Sequence, residues 1–225
     1  MAALTVVFDL DGTLVDTAPD LIETLNVVFG REGLPPVGYE KARNMIGGGA
    51  RRMIENSLQH EGRAPSGGDV DRMFADFIAY YAAHIADHSR PFPGLDPALD
   101  RLAGRGCRFA VCTNKLEGLS RLLLDALGLT RRFAAICGQD TFGIQKPDPE
   151  ILRRTIRAAG GETQRAVMVG DSGTDIATAR AAGVPVVAVD FGYSDTPVRD
   201  LGPDRLISHF DDLAAAILEL AQPLP

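Results

Sequence analysis

Four short apolar runs, LTVVF (4–8), RFAVC (108–112), AVMVG (166–170) and PVVAV (185–189), punctuate the chain. They are nearly continuous in hydrophobicity rather than alternating, the pattern of strands buried on both faces of a parallel sheet. Helical patterns lie between them. Glu117–Leu127 carries Leu119, Leu122, Leu123 and Leu127 at helical spacing and stops at Gly128; Pro149–Ala159 stops at Gly160, and Thr174–Ala182 at Gly183. A glycine in each of those places suits the left-handed residue that ends a helix. Strand, helix, glycine, strand is the rhythm of a doubly wound α/β sheet.

One stretch breaks that rhythm. From about Thr17 to Asp87 the pattern is helical throughout. Leu21, Leu25, Val28 and Phe29 form one stripe, and Met53, Ile54, Ser57 and Leu58 a second; Met73, Phe74, Phe77, Ile78, Tyr81 and Ile85 form a third. GLPPVG (33–38), GGG (47–49) and APSGG (64–68) separate them, and PFPG (91–94) announces the return to the α/β part. The pattern predicts a helical domain inserted directly after the first strand, hinged near Val15–Thr17 and near Ser89–Pro93. Residues 1–16 and 88–225 then form the sheet domain and 17–87 the insertion. Phe74, Phe77, Tyr80 and Tyr81 are expected in the core of that insertion.

Composition narrows the function classes. The chain has 225 residues, 45% hydrophobic and 24% charged, with a formal net charge of −7. That balance fits a soluble globular protein and argues against a general nucleic-acid or membrane-surface binder, since both need a basic face. Cys107, Cys112 and Cys137 are odd in number and lack metal-ligand spacing; Cys112, inside an apolar run, reads as a small core hydrophobe. Reduced thiols, with no secretory leader pattern at the N-terminus and no membrane-spanning run, lead us to expect a cytoplasmic protein. His60, His84, His88 and His209 show no metal spacing and are expected at the surface or in the insertion.

The polar residues that follow the apolar runs carry the chemistry, because ligands of open parallel sheets bind beyond the carboxyl ends of the strands. Asp9 and Asp11 follow the first run, Thr113, Asn114 and Lys115 the second, and Asp171 the third, with Asp175 four residues on; Lys146 stands in GIQKPDP. Two carboxylates at the end of a buried strand demand compensation. Oxygen-only ligands such as Asp9 and Asp171 suit a hard divalent cation, and Mg²⁺ typically takes one or two carboxylates plus waters and substrate phosphate. Period-two alternation places Asp9 and Asp11 on one strand face. One carboxylate could then attack phosphorus while its neighbour holds a proton for the leaving oxygen. Thr113, Asn114 and Lys146 would bind phosphoryl oxygens. Gly12 permits a tight turn there, and Thr13 is expected to hydrogen-bond locally.

Together these residues resemble a known set. FDLDGTLVD (8–16), VCTNK (111–115), KPDP (146–149) and GDSGTD (170–175) look like the four motifs of the haloacid dehalogenase superfamily. TAPDLIETLN (17–26), VCTNK and FGY (191–193), with the insertion after the first motif, resemble its phosphoglycolate phosphatase group. The resemblance implies a Rossmann-like parallel sheet core with an inserted α-helical cap domain and Mg²⁺-dependent phosphomonoester hydrolysis through an aspartyl-phosphate. It makes Asp9 the nucleophile and a metal ligand, and Asp11 the general acid/base, its backbone carbonyl a second metal ligand. Asp171 becomes the remaining ligand, supported by Asp175, and Thr113, Asn114 and Lys146 the phosphate-binding set. Dehalogenases of the superfamily lack the second aspartate, so Asp11 argues for phosphoryl chemistry.

The expected partner is a small phosphorylated metabolite, 2-phosphoglycolate first, in a monomer or homodimer. A sugar phosphate, a phosphorylated amino sugar acid or pyrophosphate is the near alternative. A phospho-acceptor signalling domain also combines an aspartate cluster, a hydroxyl and a lysine, but it needs neither a general acid two residues past its acceptor nor a seventy-residue cap. For substrate recognition the suggestive stretch is MIGGGARRMIE (45–55), a glycine run entering a helix with two arginines. The expectation is that this turn faces Asp9 and that Arg51 or Arg52 pairs with a substrate carboxylate. On a helical projection Arg51 aligns with Ile54 and Leu58, and Arg52 with Glu55 and Gln59.

Overall fold

Val6 and Phe8 turn to one face of the central sheet and Val7 to the other, and all three are fully buried, because helices cover both faces. The computed structural model describes residues 3–63 and 66–221. Strand β1 (Thr5–Phe8) leads through the two-residue β2 (Val15–Asp16) into four helices, α1 (Ala18–Arg31), α2 (Tyr39–Arg43), α3 (Ala50–His60) and α4 (Gly67–Ala83). The chain returns through β3 (Arg90–Pro91) and continues as α5 (Leu95–Ala103), β4 (Arg108–Cys112), α6 (Glu117–Ala126), β5 (Ala135–Cys137) and α7 (Pro149–Ala158). It ends with β6 (Ala166–Gly170), α8 (Gly173–Ala182), β7 (Val186–Val189), β8 (Arg205–Ile207) and α9 (Leu213–Ala221). Of the APSGG stretch, Ala64 and Pro65 lie outside the described residues.

The main sheet is six-stranded and parallel, in the order β5-β4-β1-β6-β7-β8. Helices α5, α6 and α9 pack on the Phe8 face, and α7 and α8 on the Val7 face. The Phe8-side apolar cluster runs on into the inserted helices. This is the Rossmann-like α/β core with a helical cap. The four apolar runs become β1, β4, β6 and β7. Strands β5 and β8 escape a reading by hydrophobic runs because each is only three residues long at a sheet edge, and in β8 Arg205 and Leu206 are exposed. Two helix positions also differ from expectation. Leu122 of α6 is 41% exposed, outside the stripe of Leu119, Leu123 and Leu124. Tyr80 is only half-buried on the outer side of α4, where it stacks on His84 at 4.3 Å, while Phe77 and Tyr81 fill the cap core.

Both crossings between sheet and cap are tied together. β2 and β3 pair antiparallel, Val15 with Pro91 and Asp16 with Arg90, where the sequence places its two hinges. Asp20 of α1, 2% exposed, accepts hydrogen bonds from the His88 amide (2.9 Å), the Ser89 amide (2.8 Å) and the Ser89 hydroxyl (2.6 Å). Removing that acceptor strands buried donors, so Asp20→Ala is expected to cost about 2–4 kcal/mol. Asp20→Asn, which keeps one acceptor oxygen, should cost less. Urea denaturation checks both; an alanine loss of less than about 1 kcal/mol would remove the clamp from the account.

Candidate active site

Strand register assembles the site. Phe8 pairs with Val111 of β4 and with Val169 of β6, so Asp9 stands level with Cys112 and Gly170, and Thr113 and Asp171 follow one residue on at the same carboxyl edge. The Asp9 amide donates to the Val169 carbonyl at 2.9 Å, extending the ladder by one residue. β1 stops at Phe8, and the turn that follows, rather than the pleat, carries Asp11; both carboxylates nevertheless line one cavity.

That turn is tight. The Leu10 carbonyl accepts from the amides of Leu14 (3.0 Å) and Val15 (3.1 Å), and the Gly12 amide donates to the Val15 carbonyl (2.9 Å). Gly12 has φ 83°, and a Cβ there would lie 2.4 Å from Asp171 Oδ2, so only glycine lets the turn approach this carboxylate. Thr13 bonds locally only through its amide, which donates to the Leu10 carbonyl at 3.4 Å. Its hydroxyl donates to Asp171 Oδ1 at 2.9 Å, across the sheet edge. The Tyr193 amide donates to Asp171 Oδ2 at 2.7 Å, and at neighbouring Gly192 a Cβ would sit 2.2 Å from the Asp171 Cβ.

Lys146, 3% exposed, joins the carboxylates. Its Nζ donates to Asp175 Oδ1 at 2.6 Å and lies 2.8 Å from Asp9 Oδ1. The approach to Asp9 is at an angle unsuited to a hydrogen bond, which leaves that oxygen without a donor among the described residues. Asp175 completes a capping box with Ser172 at the start of α8, so its second oxygen is already engaged. Asn114 lines the cavity, but both ends of its amide are committed. Its oxygen accepts from the Lys146 amide (2.8 Å), and its nitrogen donates to the carbonyls of Lys146 and of Gly47 in the cap (3.2 Å each). It stitches two core loops and the cap together.

Burial dominates the electrostatics. It pushes the Asp9 carboxyl up to about 6, with Asp175 and Asp11 adding to the rise and Lys146 opposing it. Asp171 is pushed up to about 8, again by burial first, then by Asp175 and Asp9. Burial lowers Lys146, but Asp175 and Asp9 outweigh it and hold the ammonium above its ordinary range. Asp9, Asp171 and Asp175 each offer an oxygen within 4.8 Å of the others. Buried oxygen donors in excess of their one buried ammonium, with an Asp9 oxygen lacking a donor, fit a hard divalent cation. A second such group, Asp20, Glu23 and His88, is the hinge clamp, where Asp20 is already occupied and Glu23 and His88 are exposed.

Both raised carboxyls hold protons more tightly folded than unfolded. Their contribution to stability is therefore complete below the ordinary carboxyl range near pH 4 and is lost as pH rises through about 6 and about 8. The metal-free protein should melt at a lower temperature at pH 8.5 than at pH 5.5. Added magnesium should raise the melting temperature more at the higher pH, because protons no longer compete for the oxygens. Thermal melts at the two pH values check this; a magnesium shift independent of pH would contradict the site.

Several residues here carried no assigned role in the sequence reading. Lys115 Nζ pairs with both Asp11 oxygens, at 2.8 and 3.0 Å, and Thr17 Oγ1 donates to Asp11 at 2.8 Å. The Tyr193 hydroxyl accepts from the amides of Thr17 (2.7 Å) and Ala18 (2.9 Å) and donates to Asp16, bracing the first hinge. Arg43 of the cap donates to the Gly192 carbonyl at 2.6 Å and covers the Tyr193 ring at 5.0 Å, latching the cap to the loop that holds Asp171. Lys115 and Tyr193 stand inside quoted motifs, which is a signal; Arg43 has none.

The cavity between sheet edge and cap has a volume of about 40 Å³. Asp9, Asp11, Thr113 and Lys115 form its floor, and Gly47, Gly49 and Ala50 of the glycine turn reach it from the cap. The turn faces the site as expected; the arginines do not. Arg51 pairs with Asp71 at 2.6 Å over the Phe74 ring, and Arg52 is exposed with its stem against Gly48 of the glycine turn. The helical phase that puts Gly49 and Met53 on the cavity leaves both arginines in the adjoining cleft, which shares Gly49, Phe74, Leu116 and Gln139 with it.

A sheet edge that gathers carboxylates around two buried lysines could bind a metal ion, and the enzyme is a phosphatase. The chain belongs to the haloacid dehalogenase-like hydrolases, whose family model matches residues 6–189. A phosphoglycolate phosphatase of Mesorhizobium japonicum is 50% identical over 219 residues, covering 97% of this chain and 96% of its own. One from Caulobacter vibrioides is 44% identical over 221 residues, covering 98% and 93%. A crystal structure from Haemophilus somnus, described as a predicted phosphoglycolate phosphatase, is similar with a TM-score of 0.87 at 27% identity, covering 98% of each chain. No helix among the described residues is long and apolar enough to cross a membrane.

Proposed function

We propose that this enzyme is a Mg²⁺-dependent 2-phosphoglycolate phosphatase working through an aspartyl-phosphate on Asp9. The observation that carries the reaction is the pairing of a buried, donor-poor Asp9 with Asp11, two residues on, in one cavity. The relatives' names support the substrate. Residues 1–16 and 88–225 are the catalytic core in this proposal and 17–87 the cap, divided at the β2–β3 ribbon.

In the first half-reaction an Asp9 carboxylate oxygen forms a bond to phosphorus as the bond from phosphorus to the ester oxygen breaks. Asp11 gives its proton to the departing oxygen. In the second, Asp11 takes a proton from water as that water attacks phosphorus, releasing phosphate and restoring Asp9. Lys146 and the Thr113 hydroxyl hold phosphoryl oxygens, and Asn114 fixes the Lys146 loop that lets them do so. The ion would be held by Asp9, Asp171 and the Asp11 carbonyl, with Asp175 behind them. It would supply positive charge for the phosphoryl oxygens and for the crowded carboxylates. The cap excludes water from the aspartyl-phosphate until the leaving group has gone.

Phosphate release from a panel of esters, with and without Mg²⁺ and with Asp9→Asn as blank, tests the reading. 2-Phosphoglycolate should lead the panel over sugar phosphates, phosphorylated amino sugar acids and pyrophosphate. No Mg²⁺-dependent release from any ester would overturn the reaction, and a different leading ester would overturn the substrate. A single labelling without turnover would point instead to a phospho-acceptor domain.

A further inference from the structure

The cap side of the cavity is largely apolar, built from Leu21, Ile46, Met53, Phe77 and Ile78. Against that wall stands one cation. Among the described residues lining the cavity, Lys115 is the only lysine, arginine or histidine, and its side chain is 5% exposed. Tyr81 of α4 lines the same space, is fully buried, and its hydroxyl has no hydrogen-bond partner among the described residues. Lys115 Nζ sits over the Tyr81 ring, 4.6 Å from its centre. Buried hydroxyls are paired as a rule. An ammonium has three donors, and the two Asp11 oxygens take no more than two of them. One Lys115 proton and the Tyr81 hydroxyl therefore remain for a ligand.

We propose that Lys115 and Tyr81 form the subsite that reads the substrate's carboxylate, Lys115 Nζ by an ion pair and Tyr81 Oη by donating a hydrogen bond. The assignment rests on the reaction proposed above and deepens it. One ammonium and one hydroxyl match a single carboxylate. The position matters as much as the charge. Lys115 touches Asp11, which protonates the ester oxygen, so the carboxylate it reads belongs on the carbon bonded to that oxygen. The substrate class is the phosphate ester of a short 2-hydroxycarboxylic acid. Arg51, paired with Asp71, does not line this cavity.

The test compares 2-phosphoglycolate with ethyl phosphate, which lacks the carboxylate, and with the phosphate ester of 3-hydroxypropanoate, whose carboxylate is one carbon further away. All three are assayed with saturating Mg²⁺. The wild type should prefer 2-phosphoglycolate. Lys115→Met should lower kcat/KM for it roughly ten- to a hundredfold more than for ethyl phosphate, mainly through KM, and whatever loss the two esters share reports the hold of Lys115 on Asp11. Lys115→Arg should recover part of the loss. Tyr81→Phe, which leaves Asp11 and the core volume intact, should raise KM for 2-phosphoglycolate about five- to tenfold and leave ethyl phosphate alone. Tyr81→Phe keeps the test alive if Lys115→Met fails to fold. Equal losses on both esters in both variants would overturn the assignment, making the pair a support for Asp11 or the fold. A wild-type preference that survives in both variants would overturn it while leaving the substrate reading intact. A wild type indifferent to the carboxylate would remove both.

Discussion

Asp9→Asn should reduce phosphate release by about 10⁴-fold or more, with the fold intact. The amide has nearly the carboxylate's shape but no nucleophilic oxygen, so the first half-reaction loses its attacking group. The structure adds a second expectation that separates chemistry from damage. Burial, reinforced by Asp175 and Asp11, already pushes the Asp9 carboxyl up to about 6 in the metal-free protein. Above that pH, removing the charge relieves repulsion among buried carboxylates. The metal-free variant should therefore melt no lower than the wild type at pH 7.5, while the magnesium-induced rise in melting temperature shrinks, one ligand being weakened. Activity within tenfold of wild type would take the nucleophile's role from Asp9.

Asp11→Asn should split the substrates by leaving group. Departure of the glycolate oxygen needs a proton, so kcat/KM for 2-phosphoglycolate should fall by about 10²–10⁴-fold. An aryl phosphate with an acidic phenol can depart unaided, and the phenol should appear in a burst matching the enzyme concentration. Turnover then stalls, because no base remains to activate water against the aspartyl-phosphate. Rapid acid quench and mass spectrometry should find the phosphoryl group on Asp9. Thr17 and Lys115 hold both Asp11 oxygens, so the asparagine loses charge rather than position. Equal loss with both kinds of ester, and no burst, would make Asp11 a structural partner of Lys115 instead of the proton donor.

Much of the site was legible before any coordinates. The residues after the apolar runs lie where parallel strands end, so Asp9, Thr113 and Asp171 were expected at one sheet edge; the register, Phe8 opposite Val111 and Val169, came from the tertiary structure. The helical insertion was legible because three stripes of period 3.6 interrupt a sheet pattern of short apolar runs. The edge strands β5 and β8 were not, since each is only three residues long and β8 exposes Arg205 and Leu206. The Thr13 hydroxyl looked local and bonds instead to Asp171, 158 residues away. Such a contact depends on how a turn is placed over a neighbouring strand, and periodicity holds no information about it.

The cap shows the same division. Its glycine turn was correctly expected to face Asp9, yet the arginines beside it line the neighbouring cleft and not the cavity, because a helix that buries Met53 and Ile54 fixes the azimuth of every other position. By itself, the sequence determined the fold class, the run of helices after the first strand and the set of acidic and basic groups that meet at the sheet edge. Each of these follows from short-range pattern and strand order. Only the tertiary structure decided which groups touch. It placed Lys115 on Asp11, Tyr81 beneath Lys115, Tyr193 between hinge and Asp171, and Arg43 across the interface. Those contacts join segments far apart in the chain, and packing of buried surfaces, not local propensity, selects them.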